Sequence, residues 1–250
     1  MARPDRTPQP NTLNLANLAL ASGQKATNDL PSRWSGVTAV LAAKGVVLVD
    51  SDLDEAVSAL KKSFAQRRLS ATFGKADLEH VQTLAARLHV PRRYREFLLE
   101  ADPTDVETRT PSECIRLVPS SRLLDEQKGY SLSDDGEQLE RPNAHGWRPN
   151  WVIVGHSSLL GDPYFLDTAS PDAEGDCPVF TAMSGTELWK PQLCASSFAL
   201  FVRILAISME VAEGFAEEDI DTDDESVFRE AVGPKIRQFD PAALKAGHWT

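Results

Sequence analysis

The stretch WVIVGHSSLLGDPYFLD, residues 151–167, decides how this chain folds. Residues 151–154 and 164–166 are short apolar runs of strand length, with Gly161, Asp162 and Pro163 between them. Gly161 suits a turn that needs a backbone angle other residues avoid. The carboxylates of Asp162 and Asp167 suit hydrogen bonds from turn amides. Two more runs of the same kind, 114–118 and 179–183, flank this stretch. Between 114–118 and 151–154 lies an acidic, glycine-containing insertion, 125–146, which is expected to form a long loop or hairpin.

Outside this strand-rich middle, the apolar spacing changes from two to three and four. Asp54 is placed as an N-cap for a helix over 54–67, with Val57, Leu60 and Phe64 on one face. A second helix is predicted over 76–88, with Leu78, Val81, Leu84 and Leu88 as its stripe. Pro91 opens a third, turning Tyr94, Phe97 and Leu98 inward until Pro103 stops it. A long helix starts at Ser196 or Ser197 and carries Phe198, Phe201, Val202, Leu205, Met209, Ala212 and Phe215. Residues 46–49 are β-branched enough for a strand, and 227–239 form a short amphipathic piece. Residues 1–35, rich in Pro, Thr, Asn and Gln, suit a mobile lead. The periodicity therefore predicts an α+β fold. Its protease-resistant core covers about 75–208, an N-terminal extension (36–74) packs on that core, and an acidic C-terminal extension covers 209–250.

Composition narrows the class. The 250 residues are 42% apolar and 25% charged, which is ordinary for a globular chain. Net charge is −11, a sign that argues against nucleic-acid binding, because phosphate contacts need clustered Lys and Arg. An acidic surface instead favours encounter with basic partners. Between Glu210 and Glu225 stand nine acidic residues and no Lys or Arg, the pattern of a solvated segment. Cys114, Cys177 and Cys194 are few, odd in number and widely spaced, so a reducing, cytoplasmic setting is expected without zinc or a disulfide framework. No run reaches the ~18 apolar residues of a membrane span. The LNLANLALA segment, 13–21, is short and broken by Asn14 and Asn17, unlike a secretion signal.

Several local patterns then line up in one order. Val90-Pro91, Tyr94 and Phe97-Leu98 open a helix. Gly161-Asp162, Tyr164-Phe165 and Asp167 follow, and Ser197-Phe198 with Phe201 closes the series. Over about 75–208 this arrangement resembles the SUKH superfamily of fungal cell-wall-assembly regulators and bacterial immunity proteins. Where that family often has Asn-Gly after the first helix, Ala101-Asp102-Pro103 stands here. The resemblance implies a mixed, largely antiparallel sheet flanked by helices, and it carries no catalytic set. It also implies a cytoplasmic immunity protein that binds and neutralises one cognate protein toxin. The alternative is a regulatory scaffold for a cellular protein.

Other chemistry is weakly signalled. No GxSxG, GxGxxG, Walker-type or HExxH motif occurs, and no enzyme or cofactor is expected. His156, five residues before Asp162, could pair with it in a metal or acid–base site; the plainer reading is a polar loop histidine. DIDTDDESVFRE, 219–230, has the acid spacing of a calcium loop but Asp224 in place of the required glycine, so no metal is expected. For partner binding, the acids of the central loop, Asp134, Asp135 and Glu137, are favoured over 217–225. A loop held at both ends loses less entropy on ordering than a tail does. Trp147, in HGWRPNW, is placed as an exposed apolar anchor beside them. The expected toxin has a basic cleft, as a nuclease does.

Overall fold

A computed structural model describes residues 53–215 and 222–250. The lead 1–35, the segment 13–21 and the strand expected at 46–49 lie outside the described residues. Helix α1, Leu53–Arg67, buries Leu53, Ala56, Val57, Leu60 and Phe64, as its spacing predicts. After strand β1, Thr72–Gly74, helix α2 covers Leu78–Leu88. Asp77 caps it by accepting the His80 N–H, and His89, at φ 51°, ends it. Its buried face is Val81, Leu84 and Leu88; Leu78 at the first turn is exposed. Helix α3, Arg92–Ala101, buries Tyr94, Phe97, Leu98 and Ala101, with Pro91 at its N-cap. The chain then turns at Asp102 into β2, Asp102–Thr104, which pairs antiparallel with β1.

The main sheet is antiparallel throughout and has six strands in chain order. They are β3 (Glu107–Arg109), β4 (Cys114–Leu117), β5 (Trp151–Ser157), β6 (Pro163–Asp167), β7 (Val179–Thr181) and β8 (Gln192–Ala195). The α+β class read from the sequence therefore holds. Strands β1, β2, β3 and β8 carried no periodic signal, being short and polar or half-buried. Pairing with neighbours defines them.

Helix α4, Phe198–Ala212, is the centre of the core and is buried on nearly every side. Its N-cap Ser197 accepts the Leu200 N–H at 3.1 Å. The buried carboxylate of Asp176 adds a second cap: it accepts the N–H groups of Phe198 (2.8 Å) and Ala199 (3.1 Å), and that of Cys177 (2.7 Å).

Core residues also lie on both sides of 75–208. Phe64 and Leu60 of α1 are core residues. So are Phe228, Val232 and Ile236 of α5, Thr222–Phe239, and Ala243 and Leu244 of α6, Pro241–Lys245. The acid run concealed this, because the apolar stripe that docks α5 begins only at Phe228. The end of the chain also covers the outer edge of β8. Trp249 Nε1 donates to the Cys194 carbonyl at 2.8 Å, and Asp240 accepts the Ser196 N–H and hydroxyl. At the other edge the Arg109 carbonyl accepts from the Arg67 guanidinium, and its N–H meets Met209 Sδ. At each sheet edge, backbone groups are thereby taken up by segments outside the sheet. Among the described residues, no helix is long and apolar enough to cross a membrane.

Candidate functional site

The two faces of the sheet are covered differently. Tyr164 packs on Phe201 of α4, while its neighbour Phe165 points to the opposite face and stacks with Trp151 and Phe180. The long connection from β4 to β5 folds over that second face. Trp147 sits at its centre, fully buried, with Tyr130, Trp151, Phe165 and Trp189 around it at centroid distances of 4.6 to 5.4 Å. Its Nε1 donates to the Trp151 carbonyl at 3.2 Å. The placement of Trp147 as an exposed anchor is therefore corrected: it is the core residue that fastens the loop to the sheet. The polar neighbours in HGWRPNW concealed this, because apart from Trp151 the apolar surface that buries Trp147, from Tyr130, Phe165 and Trp189, comes from other segments.

Gln127 fixes the other end of the loop. Strand β4 stops opposite Gly155, so the next exposed edge of β5 is the peptide of Ile153. The fully buried Gln127 amide takes the vacated place, accepting the Ile153 N–H (2.9 Å) and donating to the Ile153 carbonyl (3.0 Å). It also donates to Leu123 O and accepts the Ser131 hydroxyl. Gln127→Leu keeps the volume and removes every one of these bonds, so it is expected to lower unfolding free energy by about 2–4 kcal/mol. Urea denaturation measures this, and a loss under about 0.5 kcal/mol would show the amide to be dispensable.

On this frame Asp134, Asp135 and Glu137 are exposed, as expected, and none forms an ion pair among the described residues. Their turn is braced. The Ser133 N–H donates to Glu137 O (2.8 Å), Gly136 N–H to Ser133 O (2.9 Å), and Arg87 of α2 to Gly136 O (2.6 Å). Gly136, at φ 81°, occupies the left-handed position the turn needs.

A second feature was not legible in the sequence. Leu159, Leu160, Met183 and Leu188 are 63, 70, 67 and 52% exposed. They lie on the β5–β6 tip and the β7–β8 loop, and hydrogen bonds lock the two together. Asp162 accepts the Ser184 N–H at 2.6 Å, and the Ser184 hydroxyl donates to Gly161 O at 3.1 Å. The Thr186 hydroxyl lies within 3.1 Å of the carbonyls of both Met183 and Leu188. Trp189, next to Leu188, bonds its N–H to His145 O and packs on Trp147 and Tyr130. The β7–β8 loop and the connection that carries the acidic turn thus meet at one aromatic cluster.

Other expected roles resolve as follows. Asp167 accepts the Ala169 N–H and the Asn150 amide, so it is a turn residue. His156 faces Glu126, not Asp162; its Nε2 lies 3.0 Å from Glu126 Oε2, and burial pushes its pKa down against the pull of that carboxylate. Residues 222–230 of the calcium-like segment are helical, which excludes the sharp turn a calcium loop makes at Asp224. Among the described residues, no group of three or more His, Cys, Asp or Glu side chains could hold a metal. Burial raises the pKa of all three cysteines, that of Cys177 to about 12, so they persist as thiols of low reactivity. No family model matches the chain, and no curated protein matches it.

Proposed function

We propose that this protein is a non-catalytic binding module of the SUKH immunity type, which neutralises a toxin by docking on it in the cytoplasm. One observation carries the proposal: four large apolar side chains stand more than half exposed on loops whose backbones are internally bonded. The Ser184 bonds hold the loop of Met183 against that of Leu159 and Leu160, and exposed apolar groups gathered in this way mark interaction sites. Braced loops lose little freedom on binding, so more of the contact energy remains as affinity. The acidic turn at Asp134, Asp135 and Glu137 adds charge complementarity to a basic partner and speeds encounter. The α+β antiparallel architecture and the three free thiols agree with such a protein. Trp147 has no part in the contact.

The test is capture of the partner from the native cell by the full chain, with mass spectrometry, followed by affinity measurements on variants. Leu160→Asp with Met183→Asp is expected to weaken binding at least about 30-fold, a loss of ~2 kcal/mol or more for hot-spot residues. Reversing Asp134, Asp135 and Glu137 to Lys is expected to slow association and weaken binding about tenfold or more. Reversal at 221, 223 and 224 should leave affinity in place. Binding that survives the first two sets of changes and disappears with the third would overturn the proposed surface. A captured partner with no toxic activity would favour a regulatory scaffold.

A further inference from the structure

Behind the β5–β6 tip runs a chain of polar side chains drawn from distant parts of the sequence. Glu113, just before β4, accepts the Ser157 hydroxyl on Oε1 (2.8 Å), and its Oε2 lies 3.1 Å from the Tyr164 hydroxyl. That hydroxyl is also 3.1 Å from His248 Nε2, in the C-terminal strap that closes the β8 edge. At the other end, Ser157 Oγ accepts the N–H of Leu160, one of the exposed residues of the tip. A continuous path of hydrogen bonds therefore joins the strap to the tip.

The protons can be assigned. With Glu113 ionised, Ser157 donates to Oε1, Tyr164 donates to Oε2, and neutral His248 donates its Nε2–H to the phenol oxygen. Every member is satisfied with one proton each. A second proton on His248 leaves this wiring intact but sets a cation in a half-buried site next to the Arg229 guanidinium. The titratable and charged groups around it come from several elements. The Arg229 guanidinium of α5 donates to the His248 carbonyl at 3.0 Å, and its own partner is Glu225. Cys194 of β8 and Asp162 of the tip face Glu113 and Tyr164 from the sheet. Glu113 is the only carboxylate in the path itself, and it lies beyond the phenol.

We infer that His248, Tyr164, Glu113 and Ser157 form an acid-operated latch, in which a charged His248 frees the C-terminal strap from β6 and loosens the Leu159–Leu160 tip with it. The tip belongs to the docking surface proposed above, yet the latch can be tested without any partner, so either reading can fail alone. Burial and Arg229 push the His248 pKa down to about 4 in the closed form. A released imidazole returns toward ~6.5. The closed form thus keeps its full advantage above pH ~6.5 and loses up to tenfold of it per pH unit as pH falls toward about 4. Glu113 acts in the opposite sense. Burial raises its pKa, so the closed form takes up that proton more readily than an open one, which offsets part of the loss.

The test is amide and indole hydrogen exchange by NMR on the full chain from pH 7 to 4, expressed as protection over the intrinsic rate. In the parent protein, protection of the Leu160 N–H and of the Trp249 indole N–H is expected to fall together. Tyr164→Phe cuts the path, so Trp249 should still respond while Leu160 does not. Constant protection of Leu160 in the parent protein overturns the latch, as does a Leu160 response that persists in Tyr164→Phe. If Tyr164→Phe does not fold, His248→Asn replaces it. A flat pH profile at both probes supports the latch, and a Leu160 response equal to the parent's overturns it.

Discussion

Replacing Trp147 by alanine is expected to lower the free energy of unfolding by about 3–5 kcal/mol, the range for a large aromatic removed from a packed core. The indole is fully buried among Tyr130, Trp151, Phe165 and Trp189, and a residue of alanine's size leaves a cavity between the loop and the sheet that neither can close. The Trp151 carbonyl also loses its donor. Trp147→Phe retains most of the apolar area and loses only the N–H and part of the volume, so its cost should be about half. Chemical denaturation of the two variants measures both values. An anchor exposed on a binding surface would behave in the opposite way, with stability unchanged and partner affinity lost. A drop of less than about 1 kcal/mol for Trp147→Ala would contradict the core assignment.

The second large effect is expected at Asp176. Its carboxylate accepts the N–H groups of Phe198 and Ala199 at the first turn of the helix that organises the core, and that of Cys177. Asp176→Ala leaves these three donors inside the protein without their acceptor, at a cost of about 3 kcal/mol or more, given ~1–3 kcal/mol for a buried group left unpaired. Asp176→Asn keeps an acceptor oxygen and should cost less. The pH dependence separates charge from hydrogen bonding. Burial holds the Asp176 pKa above its ordinary value despite the three N–H donors. A raised carboxyl favours the folded state below its unfolded pKa, and that advantage disappears as pH rises through the folded value. Asp176→Asn should therefore lose less, relative to the parent, at neutral pH than in acid. The reverse order would mean that the negative charge at the helix terminus outweighs its burial.

How far the chain could be read in advance depended on the distance over which each feature is encoded. The helices α1, α2, α3 and α4 were legible to within a few residues, because a stripe such as Val81, Leu84 and Leu88 or a cap such as Ser197 lies within one or two turns of chain. Strands β5 and β6 were legible as apolar runs punctuated by Gly161 and Asp162, and with them the α+β class. The exposure of Asp134, Asp135 and Glu137 followed from their charge alone, since an unpaired carboxylate is too costly to bury.

Tertiary structure decided the rest. Strand β8 and the edge it presents exist because β7 pairs on one side and Trp249 and Asp240 close the other, from positions more than forty residues on. Trp147 is core, not anchor, because Tyr130, Phe165 and Trp189 converge on it from three separate segments. Leu159, Leu160 and Met183 share a surface only because Asp162 and Ser184 bring two loops together. Glu113 and His248, separated by most of the described chain, meet only through Tyr164. Helical spacing and charge are properties of neighbouring residues and act before folding. Burial of one large ring, pairing of a short polar strand and coupling of two titratable groups depend on distant residues, and exist only once packing has brought them together.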